Sequence, residues 1–198
     1  MNKKERFDHL LAVTSSKRFL GNKTYIQEIP FFICPYLPEE ANGMIRDVTN
    51  LIKKLKEKNI KVLKLDLYDI CLDLLQSKNV LAWIIEHEQE YDKDRIKELL
   101  QSCLNIEQFV IPQVKQLLSA EKHDIIFVTG IGQVFPYIRA HNFLSNLQTT
   151  IKDKPMLMFF PGDYSHSLEK GSVLELFGRL TDDRYYRAFN IYDIKQTR

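Results

Sequence analysis

Apolar residues recur along this chain with two periods, one helical and one extended. Phe7, Leu10 and Leu11 stand at i, i+3 and i+4, which predicts a short amphipathic helix over 5–13. Ile29 to Cys34 (IPFFIC) is an unbroken apolar run and reads as a buried strand. Pro30 sits at its start, where a missing N–H is tolerated, and Pro35 and Pro38 close it. Met44, Val48, Leu51, Ile52 and Leu55 then mark one face of a helix. Lys53, Lys54, Lys56 and Lys58 crowd its last turns, where positive charge suits the dipole. Lys61 to Leu67 (KVLKLDL) reads as a second strand. Strand, helix and strand in about 35 residues make a βαβ unit, whose strands are expected to pair in parallel.

The next stretch, 69–121, reads as mostly helical and long enough to form a helical insertion standing off the sheet. Ile96, Leu99, Leu100, Cys103 and Leu104 mark one helix face, and Phe109, Val110, Val114, Leu117 and Leu118 another, which Pro112 should kink or break. Asp124 to Val128 (DIIFV) has the composition of a central strand and runs into Thr129-Gly130-Ile131-Gly132. Pro136 fits a first helical turn, with Tyr137, Phe143, Leu144 and Leu147 carrying that helix to about residue 148. Met156 to Phe160 (MLMFF) is a further buried strand, ended by Pro161-Gly162-Asp163-Tyr164. Leu174 to Phe177 reads as a short helix and Tyr186 to Ile191 as a last strand. The alternation predicts one α/β domain over 1–198, a mainly parallel sheet flanked by helices.

Composition narrows the class. The 198 residues hold 28 Lys plus Arg against 26 Asp plus Glu, a net charge of +2, which excludes an overall polybasic nucleic-acid binder. The longest apolar runs are far short of the roughly 20 residues a membrane helix needs. Near the start, Asp8, His9 and the Lys17-Arg18 pair interrupt anything resembling a signal sequence, so a cytoplasmic location and no membrane contact are expected. Cys34, Cys71 and Cys103 are widely spaced and form no CxxC, so three reduced thiols and no metal site are expected.

In open α/β sheets, ligands lie beyond the carboxyl ends of the strands. The residues there are Pro35 and Tyr36, Asp66 and Tyr68, Thr129, Gly130, Gly132 and Gln133, and Gly162, Asp163 and Tyr164. A Walker-type phosphate loop is absent, because the first strand is followed by PYLPEEANGM, with one Gly, no Lys and two acids. Gly130-Ile131-Gly132 lacks the third Gly of a dinucleotide fingerprint; it reads as a tight turn, though its backbone N–H groups could hold an anion. Arg139 and His141 follow, and a catalytic role for His141 would pair it with Asp163 or Asp66. Asp163, His166 and Glu169 in GDYSHSLE read as a polar turn with a helix cap at Ser167. There is no G-x-S-x-G nucleophile elbow, and Glu86-His87-Glu88 is not a zinc motif but a solvated stretch. The block Phe177, Arg179, Arg184, Tyr185, Tyr186 and Arg187 interleaves arginine with aromatics, a pattern of protein interfaces or of single-strand stacking. Asp182 and Asp183 within it weaken the nucleic-acid reading.

Four blocks together resemble a known family. They are Ile29-Pro30-Phe31-Phe32; Thr129 to Pro136 (TGIGQVFP) with Arg139, His141 and Leu144 to Leu147; Phe159 to Tyr164 (FFPGDY); and Leu176 to Phe189 (LFGRLTDDRYYRAF). In this order and spacing they resemble the BrxB family of the bacterial BREX phage-defence systems. The resemblance implies a small cytosolic component of a multi-protein antiviral system whose other members include a methyltransferase, an ATPase and the phosphatase-superfamily protein PglZ. It implies a sheet like that of P-loop ATPases without the Walker lysine, and it brings no catalytic motif. The expected function is therefore that of a non-enzymatic adaptor, without cofactor, that binds other BREX proteins, PglZ first among them, with a homodimer also open. The alternatives are a degenerate nucleotide or anion binder at the sheet's carboxyl edge, and an accessory DNA-binding protein using Arg179, Arg184 and Arg187. Any DNA contact is expected to be indirect or weak.

Overall fold

The computed structural model describes residues 1–21, 31–151, 153–167, 171–182 and 188–195. In chain order these form α1 (Lys3–Thr14), α2 (Lys17–Leu20), β1 (Phe31–Tyr36), α3 (Ala41–Glu57), β2 (Val62–Asp66), α4 (Leu67–Ser77), α5 (Val80–His87), α6 (Lys93–Cys103), α7 (Ile111–Ala120), β3 (Ile125–Thr129), α8 (Ala140–Gln148), β4 (Met156–Ser167), β5 (Gly171–Leu176), β6 (Leu180–Asp182) and β7 (Phe189–Asn190). Ile29, Pro30, Glu169, Asp183, Arg184, Tyr185, Tyr186 and Arg187 lie outside the described residues.

The sheet runs β2-β3-β4-β1-β7, with all these pairings parallel. β1, β3 and the first half of β4 are apolar on both faces, which is why they read as continuous runs, whereas β2 turns Lys64 and Asp66 to one face. Phe31, Ile33, Ile126, Val128, Met156, Met158 and Phe160 pack one way, against α4, α7 and α8. Phe32, Cys34, Ile125, Phe127, Leu157 and Phe159 pack the other way, against α1 and α3. The buried face of α3 is Met44, Val48, Leu51 and Leu55, four of the five positions whose period predicts it. Asn2 opens α1 with a capping box: its side chain accepts from the Glu5 N–H at 2.9 Å, and Glu5 accepts from the Asn2 N–H at 2.8 Å.

The expected pairing of the first two strands is corrected. β1 lies between β4 and β7, and two strands separate it from β2. The crossover from β1 to β2 spans the sheet on the α3 face. The chain then returns strand by strand, β2 to β3 to β4, with its helices on the opposite face. Opposite directions on opposite faces give all three crossovers one hand, as parallel connections require. Nothing local to a βαβ sequence distinguishes adjacent strands from strands with others inserted later.

Five local expectations are also corrected. Pro35 lies inside β1 rather than closing it; β7 reaches only Phe32 and Ile33, so beyond them one flank of β1 has no ladder to lose. Pro136 follows a cis peptide in a turn region, and the helix starts only at Ala140, with Arg139 as its N-cap residue. Pro161-Gly162-Asp163-Tyr164 does not end β4. The strand runs on, leaves the parallel sheet after the Tyr36–Pro161 pair and pairs antiparallel with β5 from Gly162 to Ser167. The polar stretch at 163–167 is thus strand, not turn and helix cap. Leu174 to Phe177 is likewise not helix: Gly171–Leu176 is β5, held between β4 and β6. Its alternation is short, and only the neighbouring strands decide its state.

Helices occupy 67–120 nearly throughout. Pro112 stands at the start of α7, directly after a π-helical turn at Ile106–Val110, where its missing N–H is accommodated. Among the described residues no helix is long and apolar enough to cross a membrane.

Candidate functional site at the carboxyl edge of the sheet

A cavity of about 420 Å³ opens where β1, β2 and β3 end and β4 leaves the parallel sheet, walled on one side by the first turns of α3. Tyr36, Asp66 and Thr129 come from the ends of β1, β2 and β3, Pro161 from the bend of β4, and Ile45, Val48 and Thr49 from α3. Its size falls within the range typical of small-molecule sites.

Asp66 is the polar pole of this cavity. Lys64 and Asp66 are two apart on β2 and so project from the same face, and Thr129 is the register partner of Asp66 on β3. The Lys64 ammonium lies 2.9 Å from the carboxylate, the Thr129 hydroxyl donates to it at 2.8 Å, and the Tyr68 N–H donates at 3.2 Å, which caps α4. Burial pushes the carboxyl up, but the hydrogen bonds from Lys64 and Thr129 outweigh it and hold the group below its usual range. Burial pushes the neighbouring Tyr36 hydroxyl up to about 12.

Both glycines of the turn after β3 are sterically required. Gly130 has φ +80°, and a Cβ there would stand 2.6 Å from an Asp66 carboxylate oxygen. A Cβ at Gly132 would stand 2.6 Å from the Pro161 ring and 3.2 Å from the Phe177 ring. Phe177 and Gly178 form the tight turn between β5 and β6, at φ 57° and 64°. A phenylalanine in the left-handed region is uncommon. This one is also exposed, at the mouth of the cavity.

The remaining candidates divide among other places. Gly162, Asp163, Phe177 and Arg179 line an adjoining open cleft with Leu37 and Leu180. Arg139 and Arg179 meet at a smaller one, over Phe160 and Leu174. Gln133 lines the main cavity beside Gly130 and Gly132. His141 is buried on α8 and lines none of these three, whereas Asp66 and Asp163 each line one. Tyr164 is buried in the core and its hydroxyl donates to the Ala188 carbonyl. Sequence reasoning missed Lys64, Asn42, Ile45 and Thr49. For Lys64 a signal existed, since alternation in KVLKLD already puts it beside Asp66.

The cysteines form no disulfide. Burial pushes the thiols of Cys34 and Cys71 up to about 12, which makes them poor nucleophiles. Among the described residues no three His, Cys, Asp or Glu side chains gather as a metal site would need.

Comparison with known proteins fits these features into a family. The profile described as "BREX protein BrxB" matches residues 63–191, which include the Gly130 turn, the Gly162 strand and the Phe177 turn. The chain belongs to the BrxB family. The "BREX protein BrxB" of Bacillus cereus (strain H3081.97) is 33% identical over 193 residues, covering 96% of this chain and 97% of that one. The "BREX protein BrxB" of Escherichia coli O9:H4 (strain HS) is 29% identical over 189 residues, covering 94% and 90%. No solved structure matches. As a BrxB family member, the chain is a component of the BREX phage-defence system.

Proposed function

We propose that this BrxB family member is a non-enzymatic adaptor that docks another BREX protein on the carboxyl edge of its sheet, with the phosphatase-superfamily protein PglZ as the partner. The observation that carries the reading is a ring of exposed apolar side chains. Leu37, Ile45, Tyr68, Phe177 and Leu180 are each more than a third exposed, and all five border the main cavity or the cleft beside it. Large exposed apolar groups gathered at one edge mark a surface suited to a protein partner. Asp66 suits a structural pole better than proton transfer, because it is held ionised and already accepts from Lys64, Thr129 and the Tyr68 N–H. The order β2-β3-β4-β1, with β1 inside the sheet, also supports the P-loop-ATPase-like reading of the fold.

Co-purification of the full chain with PglZ tests the proposal. The expected outcome is one complex that is lost in the Ile45→Asp/Phe177→Asp variant while its melting temperature holds. A chain that elutes alone beside PglZ at micromolar concentration overturns it. A second reading, a nucleotide or anion in the cavity, is favoured by the cavity volume and by two glycines that keep it open. Calorimetric titration with nucleotides, with and without Mg²⁺, tests that reading; the absence of heat removes it.

A further inference from the structure

We propose that the α5–α6 hairpin is a second docking surface, built to take a basic, arginine-bearing helix of a partner protein. It shares no residue with the carboxyl edge and does not rest on the reading given for that edge. Neither α5 nor α6 contributes a fully buried residue. Leu100 and Cys103 lean on the core, while Trp83, Tyr91, Ile96 and Leu99 line an open groove of about 450 Å³ together with Arg95 and Glu98, which pair with each other at 3.8 Å. The aromatic floor is already assembled: Trp83 stacks on His87 at 4.9 Å and 12°, and Tyr91 tilts against it at 5.2 Å. On the same helix as Trp83, Ile85 is 70% exposed.

Charge selects the occupant. The segment 86–98 carries Glu86, Glu88, Glu90, Asp92, Asp94 and Glu98 against Lys93, Arg95 and Lys97, all exposed, in a chain whose net charge is +2. Asp92 and Asp94 serve α6, since Asp92 accepts from the Arg95 N–H at 2.8 Å and Asp94 lies in the first turn. Glu86 and Glu88 do the reverse. They stand at the C-terminal end of α5, where negative charge opposes the helix dipole, so helix stability does not account for them. Carboxylates on the same hairpin as half-exposed aromatic rings favour a guanidinium, which stacks on the rings and pairs with the acids. An amphipathic helix would add apolar side chains over Ile96 and Leu99. The same field repels nucleic acid.

Trp83 is the one tryptophan of the chain, so its emission reports on this groove directly. The probe is a synthetic amphipathic helical peptide with leucines on one face and arginines on the other, set beside a copy with glutamate in place of arginine. The full chain should show a saturable blue shift with the arginine peptide, weakened by salt. The Glu86→Lys/Glu88→Lys/Glu90→Lys variant should bind the labelled peptide at least tenfold more weakly by anisotropy, with an unchanged melting temperature. The Phe177→Asp variant should bind it as the parent chain does, which separates this surface from the carboxyl edge. No saturable shift, an equal response to the glutamate peptide, or an unchanged affinity in the triple variant overturns the proposal. So does self-association without peptide that the Trp83→Ala variant abolishes, since the groove then belongs to a second copy.

Discussion

The parallel strands and the α5–α6 hairpin put similar side chains to opposite uses. Phe31, Ile33, Phe127, Val128 and Leu157 are all at 0% exposure, covered on both sheet faces. Trp83, Ile85 and Tyr91 keep 39%, 70% and 42% exposure on a hairpin whose helices bury nothing completely. The first set accounts for itself through stability, at about 25 cal/mol per Å² of apolar surface removed from solvent. The second gains little from folding. Large apolar side chains that folding does not cover, and that sit together, are therefore where binding should be sought in this protein; the ring at the carboxyl edge obeys the same logic.

The contrast predicts graded effects. Phe127→Ala removes a ring packed edge-on against Phe159 at 5.3 Å in a site with no exposure. It should cost about 3–5 kcal/mol in urea unfolding; a loss below about 1 kcal/mol would mean that the sheet interior is not close-packed. Gly162→Ala probes the point where β4 changes sheets. With φ at +153° and a Cβ forced to 2.1 Å from the Glu175 carbonyl oxygen, it should cost roughly 2–3 kcal/mol in the same measurement. A neutral result would show that β4 and β5 part easily.

Asp66→Asn tests the polar pole between the two extremes. The folded carboxyl titrates below its ordinary range, so its contribution is fully present above the unfolded pKa of about 3.9 and is lost as pH falls through the lower folded value. The variant should be less stable by about 1 kcal/mol at neutral pH, since the pair is partly screened by solvent. It should also lack this part of the acid-dependent loss, which melting curves between pH 7 and pH 3 would read. Equal acid sensitivity in both proteins would place that dependence elsewhere. The smallest effect is expected for Ile85→Ser, whose side chain is 70% exposed: within about 0.5 kcal/mol of the parent chain. A larger loss in thermal melts would move the hairpin from the binding class to the structural one.

Legibility followed the range of the interactions. Gly130 and Asp66 could be located because a glycine or an acid just after an apolar run marks a strand end. Ile45 and Thr49 could not, since their place in the cavity depends on how α3 crosses the sheet. The Leu174–Phe177 segment reads as helix by itself but lies largely in β5, because a few alternating residues carry no preference strong enough to resist a neighbouring strand. The extension of β4 past Pro161-Gly162 was hidden for a related reason: proline and glycine usually end a strand, and here Gly162 lets it turn toward a new partner.

The sequence by itself determined the α/β class, the helix periods, the doubly buried strands and the BrxB family, because periodicity, turn chemistry and short motif blocks are local in the chain. Only the tertiary structure decided that β1 joins β4 rather than β2, and that Lys64, Asp66 and Thr129 form one pole. It also decided which apolar residues stay uncovered. Strand neighbours, ion pairs and burial join residues far apart along the chain, and they are defined only once the elements pack.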